Sequence, residues 1–306
     1  MILINGILVI DKPSTWTSHD VVAKLRGVLK QKRIGHGGTL DPLATGVLPI
    51  FIGRATRAVE FCENYDKEYI AWLRLGIVTD TQDITGKVIS VSSASASIDE
   101  VEAILPRFLG QQKQIPPMYS AIKKNGKKLY ELARRGIDVD RPARDIMISD
   151  IELAAMPLVE SAEDMFASSD VFLRIACSKG TYIRTLCHDI GAALGCGATL
   201  TYLRRTKAGI FEIDASHNLQ DALAAFSSDA VSFKRDFLLP IDSMFSQYQS
   251  IELNASDTRK AKSGALHAIK TTHDGIYRFY APDGEFLLLG NVQDCKLKTI
   301  KSFFEV

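Results

Sequence analysis

Gly35-His36-Gly37-Gly38-Thr39-Leu40-Asp41-Pro42-Leu43-Ala44-Thr45-Gly46-Val47-Leu48-Pro49 sets one carboxylate, Asp41, among four glycines and two prolines. Glycine lets backbone approach a neighbour or ligand closely, and proline fixes the local path. A solvated connection needs neither so densely. The stretch therefore describes a loop built to hold a carboxylate in one place. Pro42 keeps Asp41 in extended or turn geometry. A bend with the side chain projecting into a cleft is expected. Asp before Pro is also a common turn residue, so the dipeptide alone does not decide. His36, five residues earlier, is a cation-capable aromatic side chain, and its flanking glycines predict exposure.

The flanks read as an α+β chain. On the N-terminal side, 6–10 is a β-rich run ended by Lys12-Pro13-Ser14. Ser18 is placed to cap a helix with Val21, Val22, Leu25, Val28 and Leu29 on one face. On the C-terminal side, Val47 to Ile52 is a short apolar strand ending at Gly53, and 55–63 reads as a helix. Tyr69, Ala71, Leu73 and Leu75 alternate with Ile70, Trp72 and Arg74, and 68–91 reads as a hairpin turning at Asp83 to Gly86. Ser92 to Ser97 is a Ser/Ala loop. Ser97 and Glu100 form a capping box before an apolar helical face.

Residues 111–150 are polar, basic and punctuated by proline, an excursion from the core with a short helix near 127–135. Val171 to Cys177 alternates as a strand. After Gly180 the period becomes helical, with Ile183, Leu186, Cys187, Ile190 and Leu194 on one face. Thr199 to Arg205 returns as strand, and Asn218 caps a helix through Phe226. Short strands at 275–280 and 286–290 predict a small β-barrel-like domain over 248–306, with 1–242 forming the larger domain.

Composition is ordinary for a globular chain: 306 residues, 46% hydrophobic and 24% charged, enough for a sizeable core. Five cysteines without regular spacing point to a reducing compartment. Cys187 and His188 are adjacent, which suits one metal poorly, so no metal site is expected. No apolar run approaches the length of a membrane span, and the N-terminus lacks the pattern of a signal peptide, so a cytoplasmic location is expected. Net charge is only +1, but it is uneven. Residues 113–135 hold seven Lys/Arg and one acid, 174–207 hold six and one, and 212–242 hold six acids and two bases. Local basic patches guide a polyanion, although solvated faces would look the same.

The Asp41 stretch resembles motif II of the TruB family of tRNA pseudouridine-55 synthases, and the match is dense from about residue 6 to 210. Gly6-Ile7-Leu8-Val9-Ile10-Asp11-Lys12-Pro13 resembles that family's opening strand and turn. Lys67-Glu68-Tyr69, with Arg74-Leu75-Gly76 and Thr79-Asp80-Thr81-Gln82-Asp83, resembles its tyrosine motif. Ser178-Lys179-Gly180-Thr181-Tyr182-Ile183-Arg184-Thr185-Leu186 resembles its arginine motif, and Tyr202-Leu203-Arg204-Arg205 its pocket-closing strand. Pro116-Pro117-Met118-Tyr119-Ser120-Ala121 and Gly126-Lys127-Lys128-Leu129-Tyr130 are family-like as well.

The resemblance implies a mixed, mostly antiparallel sheet flanked by helices, and a C-terminal domain placed like a PUA module. It implies isomerisation of uridine 55 in the tRNA T loop, without cofactor or metal. In this reading Asp41 is the reacting carboxylate, Arg184 its ionic partner, and Tyr69 the ring stacked on the uracil. Tyr182 and Leu203 line the uridine pocket, His36 enters the space left by flipped bases, and Arg57 and Asp83 support the Asp41 network. Arg57 stands where some members carry lysine. Lys123, Lys124, Lys127 and Lys128 would meet phosphates of the stem. Arg184 lies near a helix N-terminus, where a cation needs an anionic partner.

The expected partner is the T-arm stem-loop, with a monomeric protein, no membrane and no obligate protein partner. Whether Asp41 attacks C1′, attacks C6 or removes the 2′ proton is left open. Two rivals stand beside this reading: a guide-RNA-dependent synthase, whose Lys-rich tails are missing here, and an RNA chaperone that folds tRNA.

Overall fold

A computed structural model of the chain describes residues 3–124, 126–155, 169–271 and 273–305. It resolves into two compact units. The first comprises Met1–Pro42, Val47–Glu63 and Asp214–Val306, and the second Leu43–Gly46 and Asn64–Ile213. These units cut across the division expected at 242/248. The reason lies in strand pairing: Gly6–Lys12 takes His217–Asn218 as a parallel neighbour and Leu238–Leu239 as an antiparallel one. Residues well past 210 thereby return to the N-terminal strand.

In the first unit, Ser18–Leu29 is helical and buries Val21, Val22, Leu25 and Leu29. Its cap is Thr17, not Ser18: the Thr17 hydroxyl accepts from Asp20 N, and Asp20 reaches back in a full capping box. The Ser18 hydroxyl is engaged elsewhere, with Leu40. Thr45–Ile52 is buried along its whole length, and Gly53 turns the chain at φ 62° into a 3-10 helix, Gly53–Ala58, and the α-helical turn Val59–Cys62.

Residues 249–302 hold a sheet of their own within this unit. Its strands run Gln249–Glu252, Gly275–Tyr280, Phe286–Gln293, Lys296–Ser302 in space as in sequence. Phe279, Leu287, Leu288, Val292 and Leu253 form its core. It is β-rich as expected, with the strands in an open order. Arg54 and Lys262 both reach Glu285 across it, and together they draw the Glu285 carboxyl below its usual range against the opposing effect of burial.

The second unit is built on five antiparallel strands in the spatial order Ala198–Ala208, Lys67–Leu75, Asp170–Cys177, Arg144–Leu153, Gly110–Gln114. On the far side of Ala198–Ala208, Thr45 and Gly46 pair in parallel with Arg204 and Arg205. Lys67–Leu75 is not one arm of a 68–91 hairpin. Tyr69, Ala71 and Leu73 are buried on one face and Trp72 on the other, so the strand is central and takes partners on both edges. The chain breaks at Gly76, φ 85°, and the hairpin that follows joins Ile77–Thr79 to Val88–Val91. The capping box at Ser97 and Glu100 starts the helix Ile98–Ile104. The excursion is anchored by its ends, Gly110–Gln114 pairing with Arg144–Leu153.

Candidate active site

Asp41 sits in a loop whose flanks are locked inside the first unit. Leu40 is buried, its N–H donates to Ser18 Oγ at 2.9 Å, and Ser18 Oγ donates back to Leu40 O at 3.2 Å. The Pro42 carbonyl accepts from Thr15 N at 2.9 Å and from Lys12 Nζ at 3.5 Å. Lys12 has no exposed surface, and its ammonium also donates to Pro13 O at 2.8 Å and Trp16 O at 2.5 Å. A buried cation ringed by carbonyls is a rigid staple. Gly37 is required by packing: a Cβ there would lie 2.9 Å from the Phe51 ring and 3.0 Å from Cys62 Sγ. Asp41 itself is half-exposed at the centre of this frame. His36 ends the strand Ile34–His36, opposite Ile50, and meets His19 edge-on with ring centres 5.4 Å apart. It is half-buried, not the exposed side chain its flanking glycines predicted, because pairing with Thr45–Ile52 draws it in.

The second unit gathers most of the other expected residues. Arg184, second residue of the helix Ile183–Ala193, is 5% exposed. Its Nη1 donates to Thr81 O at 3.0 Å and to Asp83 Oδ2 at 3.4 Å, and its Nη2 to Tyr119 O at 2.9 Å. Asp83 is thus an anion beside a cation near a helix N-terminus, the pairing such a position needs. Asp83 is itself fixed: Oδ1 accepts from Thr81 Oγ1 at 2.9 Å, Thr85 N at 3.0 Å and Thr85 Oγ1 at 2.5 Å. The turn around it is bonded to the sheet edge, Ile84 N to Leu200 O and Leu200 N to Gln82 O.

Tyr182 precedes the Arg184 helix, and its backbone is clamped in both directions by the Gln114 side chain. Register puts Tyr69 opposite Arg205 and Leu203 opposite Ala71, so Tyr69, Leu203 and Arg205 share one face of the sheet. All three are buried. The strand that follows Asp41 passes against this edge at Gly46, φ 98°, where a Cβ would lie 2.1 Å from Arg205 O. Only glycine fits there.

The four lysines come together as one hairpin, Lys123 opposite Lys128 and Lys124 opposite Lys127, turning at Gly126. Lys123 and Lys127 are exposed. Lys124 donates to Asp140 O, and Lys128 and Arg134 both lie over the Tyr130 ring at about 5.5 Å. Arg57 is engaged elsewhere: its Nη1 donates to Ser302 O at 3.1 Å and Phe304 O at 2.9 Å, binding the end of the C-terminal sheet.

Three residues with clear structural parts were not singled out as site candidates from sequence. A lysine closing an apolar strand before proline signals Lys12. The second arginine of Leu203-Arg204-Arg205 falls on the inward side by alternation from Leu203. Gln114 carried no signal, since its part depends on a backbone 68 residues away.

The model for the N-terminal domain of TruB family pseudouridylate synthases matches residues 26–183, and the model for the C-terminal domain of tRNA pseudouridylate synthase B matches 184–246. The tRNA pseudouridine synthase B of Clostridium tetani is 41% identical over 305 residues, covering 97% of this chain and 99% of the relative. That of Clostridium novyi is 40% identical over 291 residues, covering 94% and 95%. Among solved structures, a Cbf5-Nop10-Gar1 complex contains a chain that superposes with a TM-score of 0.70 at 25% identity, covering 98% of this chain and 85% of that one. With the motifs in order, the sheet mixed and mostly antiparallel, and relatives aligned from end to end, the chain belongs to the TruB family of pseudouridylate synthases.

Proposed function

We propose that this chain isomerises uridine 55 in the T loop of tRNA, with Asp41 as the reacting carboxylate and no added cofactor. The reaction breaks the N1–C1′ bond, turns the uracil, and joins C5 to C1′; the C5 hydrogen leaves as a proton and N1 takes one up, so substrate and product are isomers. Such chemistry needs a carboxylate held at a fixed point, an aromatic surface for the base, and extraction of the base from its stack. The observation that carries the reading is the frame around Asp41. A buried ammonium, a serine clamp and a glycine packed on a ring fix the backbone on both sides of one half-exposed carboxylate. A plain turn would not require that much fixing.

Arg184 serves as the cation of the site. Tyr69 holds the uracil, with Tyr182 and Leu203 lining its pocket, His36 filling the space behind flipped bases, and Asp83 orienting Arg184. The lysine hairpin meets stem phosphates and sets affinity and register. The relatives' names supply tRNA as the substrate class. The protein acts as a cytoplasmic monomer without a guide RNA.

The test uses unmodified tRNA transcript tritiated at uridine C5, with the purified protein alone. Release of one label per tRNA by the wild type, and a loss of about 10³-fold or more in Asp41→Asn with tRNA binding retained, is the expected result. Equal release by Asp41→Asn would remove Asp41 from the chemistry. No release by wild type with tight binding would favour the guided or chaperone reading.

A further inference from the structure

The excursion that carries the lysine hairpin is tied to the Arg184 helix at two points. Gln114 ends the strand Gly110–Gln114 and is 4% exposed. Its Oε1 accepts from Tyr182 N at 2.8 Å, and its Nε2 donates to Tyr182 O at 3.1 Å. Further along, Tyr119 O accepts from Arg184 Nη2 at 2.9 Å. The link between the two points contains Pro116 and Pro117, both buried, which fix φ at successive positions. Past Tyr119 the chain enters the lysine hairpin directly, and Tyr130 N donates back to Ser120 O at 3.1 Å.

A buried side-chain amide needs both a donor and an acceptor opposite it. Gln114 finds both on one residue, and only one orientation of its amide satisfies them. Tyr182 precedes the helix in extended geometry, φ −98° and ψ 106°, and its side chain does not cap the helix. Its carbonyl accepts the first bond of the helix, from Leu186 N at 3.0 Å, as well as the bond from Gln114. The Gln114 amide thus sets where the helix begins, and with it where Arg184 leaves the backbone. An apolar side chain of the same length would fill the space and fix neither.

We propose that Gln114 is a positioning residue for the isomerisation: it holds Tyr182 and the start of the Arg184 helix in the reacting geometry without touching substrate. The inference rests on the reading above, in which Tyr182 lines the uridine pocket and Arg184 is the cation of the site. A misplacement of about one ångström at a reacting site costs about 10²-fold in rate. Gln114 therefore acts on the chemical step, whereas the exposed Lys123 and Lys127 act on affinity.

The experiment measures single-turnover tritium release from C5-labelled tRNA transcript over a range of protein concentrations. One titration then yields the saturating rate and the half-saturating concentration. Gln114→Met keeps the length of the side chain and removes both bonds. Its saturating rate is expected to fall by about 10- to 100-fold, with half-saturation within about twofold of wild type. Loss of folded protein alone would shift half-saturation and spare the saturating rate. Gln112→Met, on the same strand, loses an amide that donates to the Arg107 and Leu109 carbonyls and is expected to leave both quantities at wild-type values. An unchanged saturating rate in Gln114→Met, a loss confined to half-saturation, or an equal loss of rate in Gln112→Met would overturn the proposal. Should Gln114→Met fail to fold, Gln114→Glu decides. It retains the acceptor for Tyr182 N and, ionised, has no donor for Tyr182 O, so the same split is expected and its absence overturns the proposal. No release from wild type would remove the uridine reading and this inference with it. Release by wild type that Gln114→Met matches would remove this inference alone.

Discussion

The loop that carries Asp41 and the hairpin that carries four lysines are both short, polar and turned by glycine, yet they are built in opposite ways. Around Asp41 each flanking group touches something that cannot yield: Gly37 against Phe51, Leu40 on Ser18, the Pro42 carbonyl on Lys12, Gly46 against Arg205. The lysine hairpin has two strands of two residues each, and at Gly126 a Cβ would meet nothing within 4 Å. The contrast matches the two proposed tasks. A reacting carboxylate loses its advantage when displaced by about an ångström. A cation that meets phosphate through solvent needs reach and charge, and tolerates a loose frame.

If that contrast is right, damage on the rigid side should appear as lost fold. Arg184→Met removes one half of a buried ion pair and two bonds to carbonyls, leaving Asp83 beside an apolar chain. A loss of about 3–5 kcal/mol in denaturant unfolding is expected, with activity lost as well. Gly46→Ala comes next. Its Cβ would overlap the Arg205 carbonyl at 2.1 Å, at φ 98°, and about 2–4 kcal/mol is expected. Gly126→Ala shares the positive φ, 80°, without the collision, so only about 1–2 kcal/mol should follow. Equal losses at Gly46 and Gly126 would mean that backbone conformation alone, and not close packing, sets the cost. The comparison would then fail on its rigid side.

How far each region could be read in the sequence follows the same line. The strands and helices near Asp41 were legible because periodicity and capping are local: the helix at 18–29, the strand ending at Gly53, the box at Ser97 and Glu100. What pairs with what was not. Alternation along Tyr69 to Leu75 is equally compatible with a hairpin arm and a central strand, and only partners about 100 and 130 residues away make it central. The return of the chain to the N-terminal strand was unreadable for the same reason, since two-residue pairings at 217–218 and 238–239 leave almost no local signature. At the candidate site, residue types in the motifs were readable. Their supports were less so, because Lys12 and Gln114 act on the backbone of distant residues. Arg57 shows the converse: a basic residue near a motif whose hydrogen bonds lead to the C-terminal strand end.

The loose side of the comparison predicts the smallest structural effect and the clearest functional signature. Lys123 and Lys127 are exposed, so Lys123→Ala with Lys127→Ala should leave the melting curve where it is. If each lysine releases one counterion on binding RNA, the slope of log affinity against log salt should become shallower by about one to two. KM for the stem-loop should rise while kcat stays near wild type, because lysines that position the stem act before the chemical step. A fall in kcat at saturating RNA would place the hairpin in the catalytic geometry. The two regions would then share one tolerance, and the frame around Asp41 would extend into the excursion. An unchanged salt slope would instead remove these lysines from the phosphate contacts, leaving Arg134 and Arg135 of the same excursion as the next cations to test.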